Sequence, residues 1–256
     1  MNKRNNTFLR PAIAMIELIF ALVIMAIVLL SAPRLIHTAT QSGFLSMQQE
    51  GINEAASKVS LIMSYPWDEA NTDSSFLSPI LYVSNSADSS LREFNSSGRR
   101  AGTPKLSTRS FIRTDGNKLN ASAAPLGFDT GENNDNDIDD MDDFADTAIA
   151  DSSLQFIDSN ENNVDYIENN TTINIHTAIS YMNDTPAGGT YVDPGADGKI
   201  TFSPLFDAAA PGYTTNIKKI IVTLTSTSTA SELNNKKIVL KAFTCNIGNY
   251  SFERDF

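Results

Sequence analysis

Between Ile13 and Ala32 the chain reads IAMIELIFALVIMAIVLLSA, a run of 20 residues in which Glu17 is the sole charge. As a helix rising about 1.5 Å per residue it would span roughly 30 Å, the hydrocarbon thickness of a bilayer. Residues 1–12 (MNKRNNTFLRPA) carry Lys3, Arg4 and Arg10 and no acid. Basic residues ahead of a span hold that end in the cytoplasm and send the remainder outward. An ordinary secretory signal would have a shorter apolar core closed by a small-residue cleavage site on the far side. This run is long and carries a carboxylate in its first turns. Isolated in hydrocarbon, an ionised Glu costs several kcal/mol even on the lower estimates, so Glu17 is expected to be paired or functional.

The segment Pro11-Ala12-Ile13-Ala14-Met15-Ile16-Glu17-Leu18-Ile19 resembles the type III signal of type IV prepilins and pseudopilins. The resemblance implies cleavage by a prepilin peptidase on the cytoplasmic side, between Ala12 and Ile13, followed by N-methylation of Ile13. Glu17 then stands five positions into the mature chain, where the family carries its glutamate. Ala12 replaces the usual Gly and Ile13 the usual Phe. Cleavage would create a cation at Ile13 within an apolar bundle, and Glu17 would supply an anion to its own or a neighbour's terminus. Desolvation consumes much of such a pair's Coulomb energy, so its main effect is to specify register. The other reading of the segment is an unprocessed signal-anchor helix that tolerates a glutamate.

Pro33 closes the apolar run and is expected to kink the helix, which continues beyond it. Arg34 and His37 mark the outer interface. Beyond them Phe44, Leu45, Ile52, Ala55, Ala56, Val59, Ile62 and Met63 recur mostly at steps of three and four, the pattern of an amphipathic helix packed on a domain. Gly43 and Gly51 argue against an unbroken helix, and Tyr65-Pro66 should stop it.

The formal net charge of -11 argues against a nucleic-acid partner, whose phosphates require Lys and Arg. It suits an extracellular surface or one that holds cations. The one cysteine, Cys245, rules out an intramolecular disulfide and is expected to be a small buried residue near a strand end. His37 and His176 are read as interface or strand-surface residues. No Ser/His/Asp set is legible, and so few His and Cys make zinc improbable.

Strand character is confined to Thr172–Met182, Asn216–Thr227 and Lys237–Asn246, which alternate Val, Ile and Thr with polar residues. The last two should pair across Ser231–Asn235 as a hairpin, with the first as a third strand. A sheet packed on the second half of the long helix buries both apolar faces. The expected fold class is therefore α+β: a long N-terminal helix, half transmembrane and half amphipathic, on a C-terminal antiparallel sheet. That is also the ladle-shaped fold the resemblance implies. The expected organisation is a cleaved leader (1–12), a transmembrane or filament-core helix (13–32), its amphipathic continuation (33–65), a loop-rich region (66–171) and the sheet (172–256). Tyr65-Pro66-Trp67-Asp68-Glu69-Ala70-Asn71, then Asp139-Asp140-Met141-Asp142-Asp143-Phe144, the strand around Ile175–Tyr181 and the closing Lys241-Ala242-Phe243 are together similar to the minor pilins of mannose-sensitive haemagglutinin pili.

Asp129–Asp151 holds nine Asp and one Glu and no base, and is read as a solvated acidic loop or a calcium site. Asp135, Asp137 and Asp139 have alternate-position spacing without the glycine or distal glutamate of an EF-hand. Asp158–Asn163 followed by Glu168 is a second partial match, and Asp193 with Asp197-Gly198 a third. Glycoside hydrolysis by paired carboxylates is disfavoured because the acids cluster within one Asn-rich loop. Glu93-Phe94-Asn95-Ser96-Ser97 and Glu168-Asn169-Asn170-Thr171-Thr172 fit a bacterial glycosylation sequon, with Asn95 and Asn170 as acceptors.

The expectation is a non-enzymatic minor pilin-like subunit. Its partners would be prepilin peptidase, other pilin subunits and the inner-membrane assembly platform. The precursor would cross the bacterial inner membrane once, before incorporation into a periplasmic or surface filament. The alternatives are a type II secretion pseudopilin and a calcium-binding adhesive module on a single-pass anchor.

Overall fold

The computed structural model describes residues 9–73, 79–84, 87–104, 107–129, 132, 137–145, 151–157, 170–191, 193, 198–202, 205–209, 212–228 and 232–248, without the side chains of 9–13, 157 and 170. One helix, α1, runs from Leu9 to Ile62 and passes through Pro33. The helix thus continues past Pro33, as its expected amphipathic continuation requires. A proline removes one ladder bond, a cost of about 3 kcal/mol, and the turns on either side keep theirs. Nor do the glycines interrupt α1. Gly51 is buried against the sheet, and a β-carbon there would meet Leu224 Cδ2 at 3.1 Å and Ile173 Cδ1 at 3.4 Å. The missing side chain lets helix and sheet approach closely. Near Pro66 the final turn tightens: Ser64 N–H donates to Leu61 O at 2.9 Å and Tyr65 N–H to Ile62 O at 3.2 Å, the shortened bonds of a fraying helix end.

Four antiparallel strands form one sheet in chain order: β1 (Ser152–Ile157), β2 (Asn170–Tyr181), β3 (Ile217–Ser226) and β4 (Lys237–Cys245). The three expected strands are present, and the expected hairpin is β3–β4, in register from Ile217 opposite Cys245 to Thr225 opposite Lys237. Its turn holds Asn235 at φ 56° and buries Leu233. The strand β1 lies in the stretch expected to be loops. It is short, opens on two serines and pairs only with β2, so it carries a weak signal of its own.

On the sheet's inner face, odd positions of β2 (Ile173, Ile175, Ile179) and even positions of β3 (Ile220, Val222, Leu224) meet Ala55 and Ile62 of α1. Met141 and Phe144, from the acidic stretch, complete this core. Phe44, Gly51, Ala55 and Ile62 are the buried positions of the helix, separated by multiples of about one turn. Leu45, Ala56 and Met63 point outward, contrary to the amphipathic reading. Each directly follows a buried position and so sits about 100° around the helix from it.

The region 79–126 has no strand of regular length among its described residues, but it is tied to the sheet. Asn246, just past β4, accepts from Leu81 N–H at 2.9 Å and donates to Leu81 O at 2.7 Å, acting as a strand residue by its side chain. Asp184 accepts from Asn216 N–H at 3.0 Å and from Asp88 N–H at 2.9 Å.

Candidate functional site

From Ala14 to about Ala39 the side chains of α1 are exposed. The helix's most apolar window has a mean hydropathy of 2.7 with none of it buried against the domain. A single N-terminal helix is thus long and apolar enough to cross a membrane. Glu17 is exposed among Met15, Ile16, Leu18, Ile19 and Phe20. It follows Ile13 by four residues of continuous helix, one turn, so the two positions share a face. Ala12 and Ile13 lie on the helix; their side chains fall outside the described residues.

A second constellation lies where α1 hands over to the globular part. Period-two alternation places Lys218 on the core face of β3, in line with Ile220, Val222 and Leu224. Its ammonium, fully buried, donates to Trp67 O at 2.7 Å, Asp68 Oδ2 at 2.9 Å and Asp142 Oδ2 at 2.6 Å. It sits 4.1 Å from the Trp67 ring centroid and 5.3 Å from that of Tyr181, close enough for cation–π attraction. Asp68 also accepts from Ser122 N–H and Oγ–H at 3.0 and 3.1 Å, and the Tyr181 hydroxyl donates to Ser122 O at 2.7 Å. One cation thus joins the helix exit (Trp67, Asp68), the 120s loop, the acidic turn (Asp142) and the sheet.

The acidic turn is itself buried at Asp140, Asp142 and Asp143, which corrects the solvated-loop reading at these three positions, while Asp129, Asp139 and Asp151 are exposed. Met141 and Phe144 enter the core and pull the aspartates between them inward. Asp140 Oδ1 accepts from Asp142 N–H at 2.6 Å and Asp143 N–H at 3.3 Å, and Asp143 Oδ2 accepts from the N–H groups of Asp139 and Asp140 at 3.1 and 3.3 Å. Burial, followed by the neighbouring Asp142 charge, pushes the Asp140 carboxyl up to about 9. Burial pushes Asp142 up to about 7, outweighing the attraction of Lys218. At neutral pH Asp140 is therefore a neutral acid. Its Oδ2, the oxygen with no partner among the described residues, is the natural seat of the proton. The ion pair is real in geometry but does not overcome the cost of desolvating its acid.

Beside this turn, carboxylate oxygens of Glu69, Glu132 and Asp139 all lie within 4.8 Å of one another. Burial and then Asp139, Asp129 and Glu132 raise Glu69 to about 7. Hard oxygen donors this close are the kind that hold calcium. Of the expected calcium ligands, only Asp139 joins the trio. Asp137 is described but stands outside it, and Asp193 lies in another loop, where its N–H donates to Thr190 Oγ1 at 2.9 Å. Asp135, Asp197 and the Asp158–Glu168 stretch fall outside the described residues. Glu69 was missed because it belongs to the turn after the helix, far from the acidic loop in sequence.

Asn95 is exposed at φ 47°, in the turn closed by Ser97 N–H donating to Phe94 O at 2.9 Å. Asn170 opens β2 opposite Ile157, its side chain outside the described residues. Cys245 is exposed, correcting the expectation of burial. The pleat that turns Ala242 and Thr244 toward the core turns Cys245 away. His176 lies on the outer face of β2, its Nδ1 2.7 Å from Asp151 Oδ1, as a strand-surface histidine should.

No family model, curated protein or solved structure matches this chain.

Proposed function

We propose that the chain is a minor type IV pilin-like structural subunit, similar to those of mannose-sensitive haemagglutinin pili, with the ladle architecture of that family. The single observation that carries the reading is α1: a continuous helix whose N-terminal half is bare and apolar, with Glu17 one turn beyond Ile13, and whose C-terminal half packs on an antiparallel sheet. A helix half that finds no cover in its own domain must find it in lipid or in other helices.

On this reading the precursor crosses the inner membrane with its N-terminus in the cytoplasm. Prepilin peptidase cuts between Ala12 and Ile13, and Ile13 is N-methylated. The assembly platform then moves α1 from lipid into a bundle of like helices, where Glu17 meets the ammonium of its own or a neighbouring subunit's Ile13. Pro33 sits within α1, and its missing N–H frees the carbonyl of residue 29, which gives the helix a place to yield on entering the bundle. The globular part faces outward and caps or decorates the filament, and no chemistry is assigned to it.

The test is Glu17→Ala in cells making the filament. The expected outcome is normal membrane insertion with filaments that lack the subunit. A variant found in filaments at the normal level contradicts the pairing.

A further inference from the structure

The chain is strongly acidic, with a net charge of -11, yet the wall of one cavity of about 460 Å³ carries two arginines and no acid. Ile80 and Ile247 supply apolar surface, Thr103 and Ser107 hydroxyls, and Arg100 and Arg109 the charge.

Arg100 is fixed in place. Its Nε–H donates to Leu91 O at 2.7 Å, Nη1 to Asn246 O at 2.7 Å and Nη2 to Asn216 Oδ1 at 2.5 Å. The Phe111 ring centroid lies 5.5 Å from its guanidinium carbon. All three acceptors are neutral, and a guanidinium has five N–H donors, so two have no partner among the described residues. Burial draws Arg100 down to about 10, which leaves it a cation at neutral pH. The exposed Arg109 makes one hydrogen bond among the described residues, from its backbone N–H to Ser107 Oγ at 3.2 Å. Its guanidinium has no carboxylate within ion-pair distance among them. In the same region Arg113 pairs with Asp115 and Asp73, and Lys118 with Glu93. Among the described residues neither cavity arginine forms a direct ion pair with a carboxylate; Asp184 reaches Arg100 only at longer range, through Asn216.

We propose that this cavity binds a small organic anion, with its carboxylate held by Arg100 and Arg109, its body against Ile80 and Ile247, and its hydroxyls toward Thr103 and Ser107. A planar guanidinium already locked by its neighbours loses little freedom when it takes a carboxylate. The volume falls in the range of small-molecule sites, and an acidic sugar of hexuronate size combines the three chemistries. The inference concerns the globular part and stands independently of the filament reading.

The experiment is calorimetric titration of the full chain in detergent with sodium glucuronate, glucose and sodium sulfate. Saturable binding of glucuronate is expected, with none of glucose and with sulfate at least about tenfold weaker. Arg109→Gln should weaken glucuronate by about tenfold, the loss of one charge-assisted hydrogen bond. Its thermal midpoint should not change, because the guanidinium supports nothing else. The proposal is overturned if glucuronate gives no saturable binding, if glucose binds equally, if sulfate matches glucuronate, or if Arg109→Gln leaves the affinity unchanged.

Discussion

Lys218 occupies a position that its strand reserves for aliphatic side chains, and it is tolerated because Asp68, Asp142 and Trp67 O surround its ammonium. Removing one member of a buried pair strands the other charges. Lys218→Met should therefore cost about 3–5 kcal/mol, read as a lowered urea midpoint. A midpoint within error of the parent would show that the aspartates are solvated. The acids make a second prediction, with an uncommon sign. Asp140, Asp142 and Glu69 hold their protons in the folded protein up to about 9, 7 and 7, and release them near pH 4 when unfolded. Between those limits the folded state binds more protons, so stability falls as pH rises. The melting temperature should be higher at pH 5.5 than at pH 8.5. Asp140→Asn reproduces the neutral acid, whose Oδ1 keeps its two backbone bonds, and should retain stability while flattening the loss above pH 7. A melting temperature that climbs steadily from pH 5.5 to 8.5 would refute the account of these protons.

At the level of elements, α1 and the sheet meet where Gly51 leaves room for Leu224 and Ile173. Gly51→Val drives a branched side chain into that contact. Overpacking of this kind costs about 1–3 kcal/mol, against a small gain in helix propensity. Thermal unfolding should show net destabilisation, with membrane insertion unchanged. The three long strands and the helix were legible because each repeats its own period over many residues. By contrast, β1 is short, and two of its six residues are serine. Lys218 was within reach of the sequence: the alternation that puts Ile220, Val222 and Leu224 inward puts Lys218 there too. Its partners were not, since Asp68 and Asp142 are brought to it only by the folding of two distant turns. The same holds for the trio of Glu69, Glu132 and Asp139, whose first member lies far along the chain from the other two.

The whole molecule divides its work by exposure. A bare apolar helix half extends from a domain that buries its own core, and two polar knots tie the loops to one end of the sheet: Lys218 at the helix exit, and Asn246 with Arg100 and Asn216 just past the end of β4. Loops tied to the sheet in this way suit the proposed role, in which the helix moves from lipid into a bundle while the domain stays folded. The proposed transfer depends on a positive terminus at Ile13 for Glu17 to meet. The most direct measurement is the intact mass and N-terminal sequence of the chain isolated from the cells that make it. The account predicts a chain that begins at Ile13 and carries one added methyl group. A chain that still begins at Met1, with Lys3, Arg4 and Arg10 in place, would contradict it.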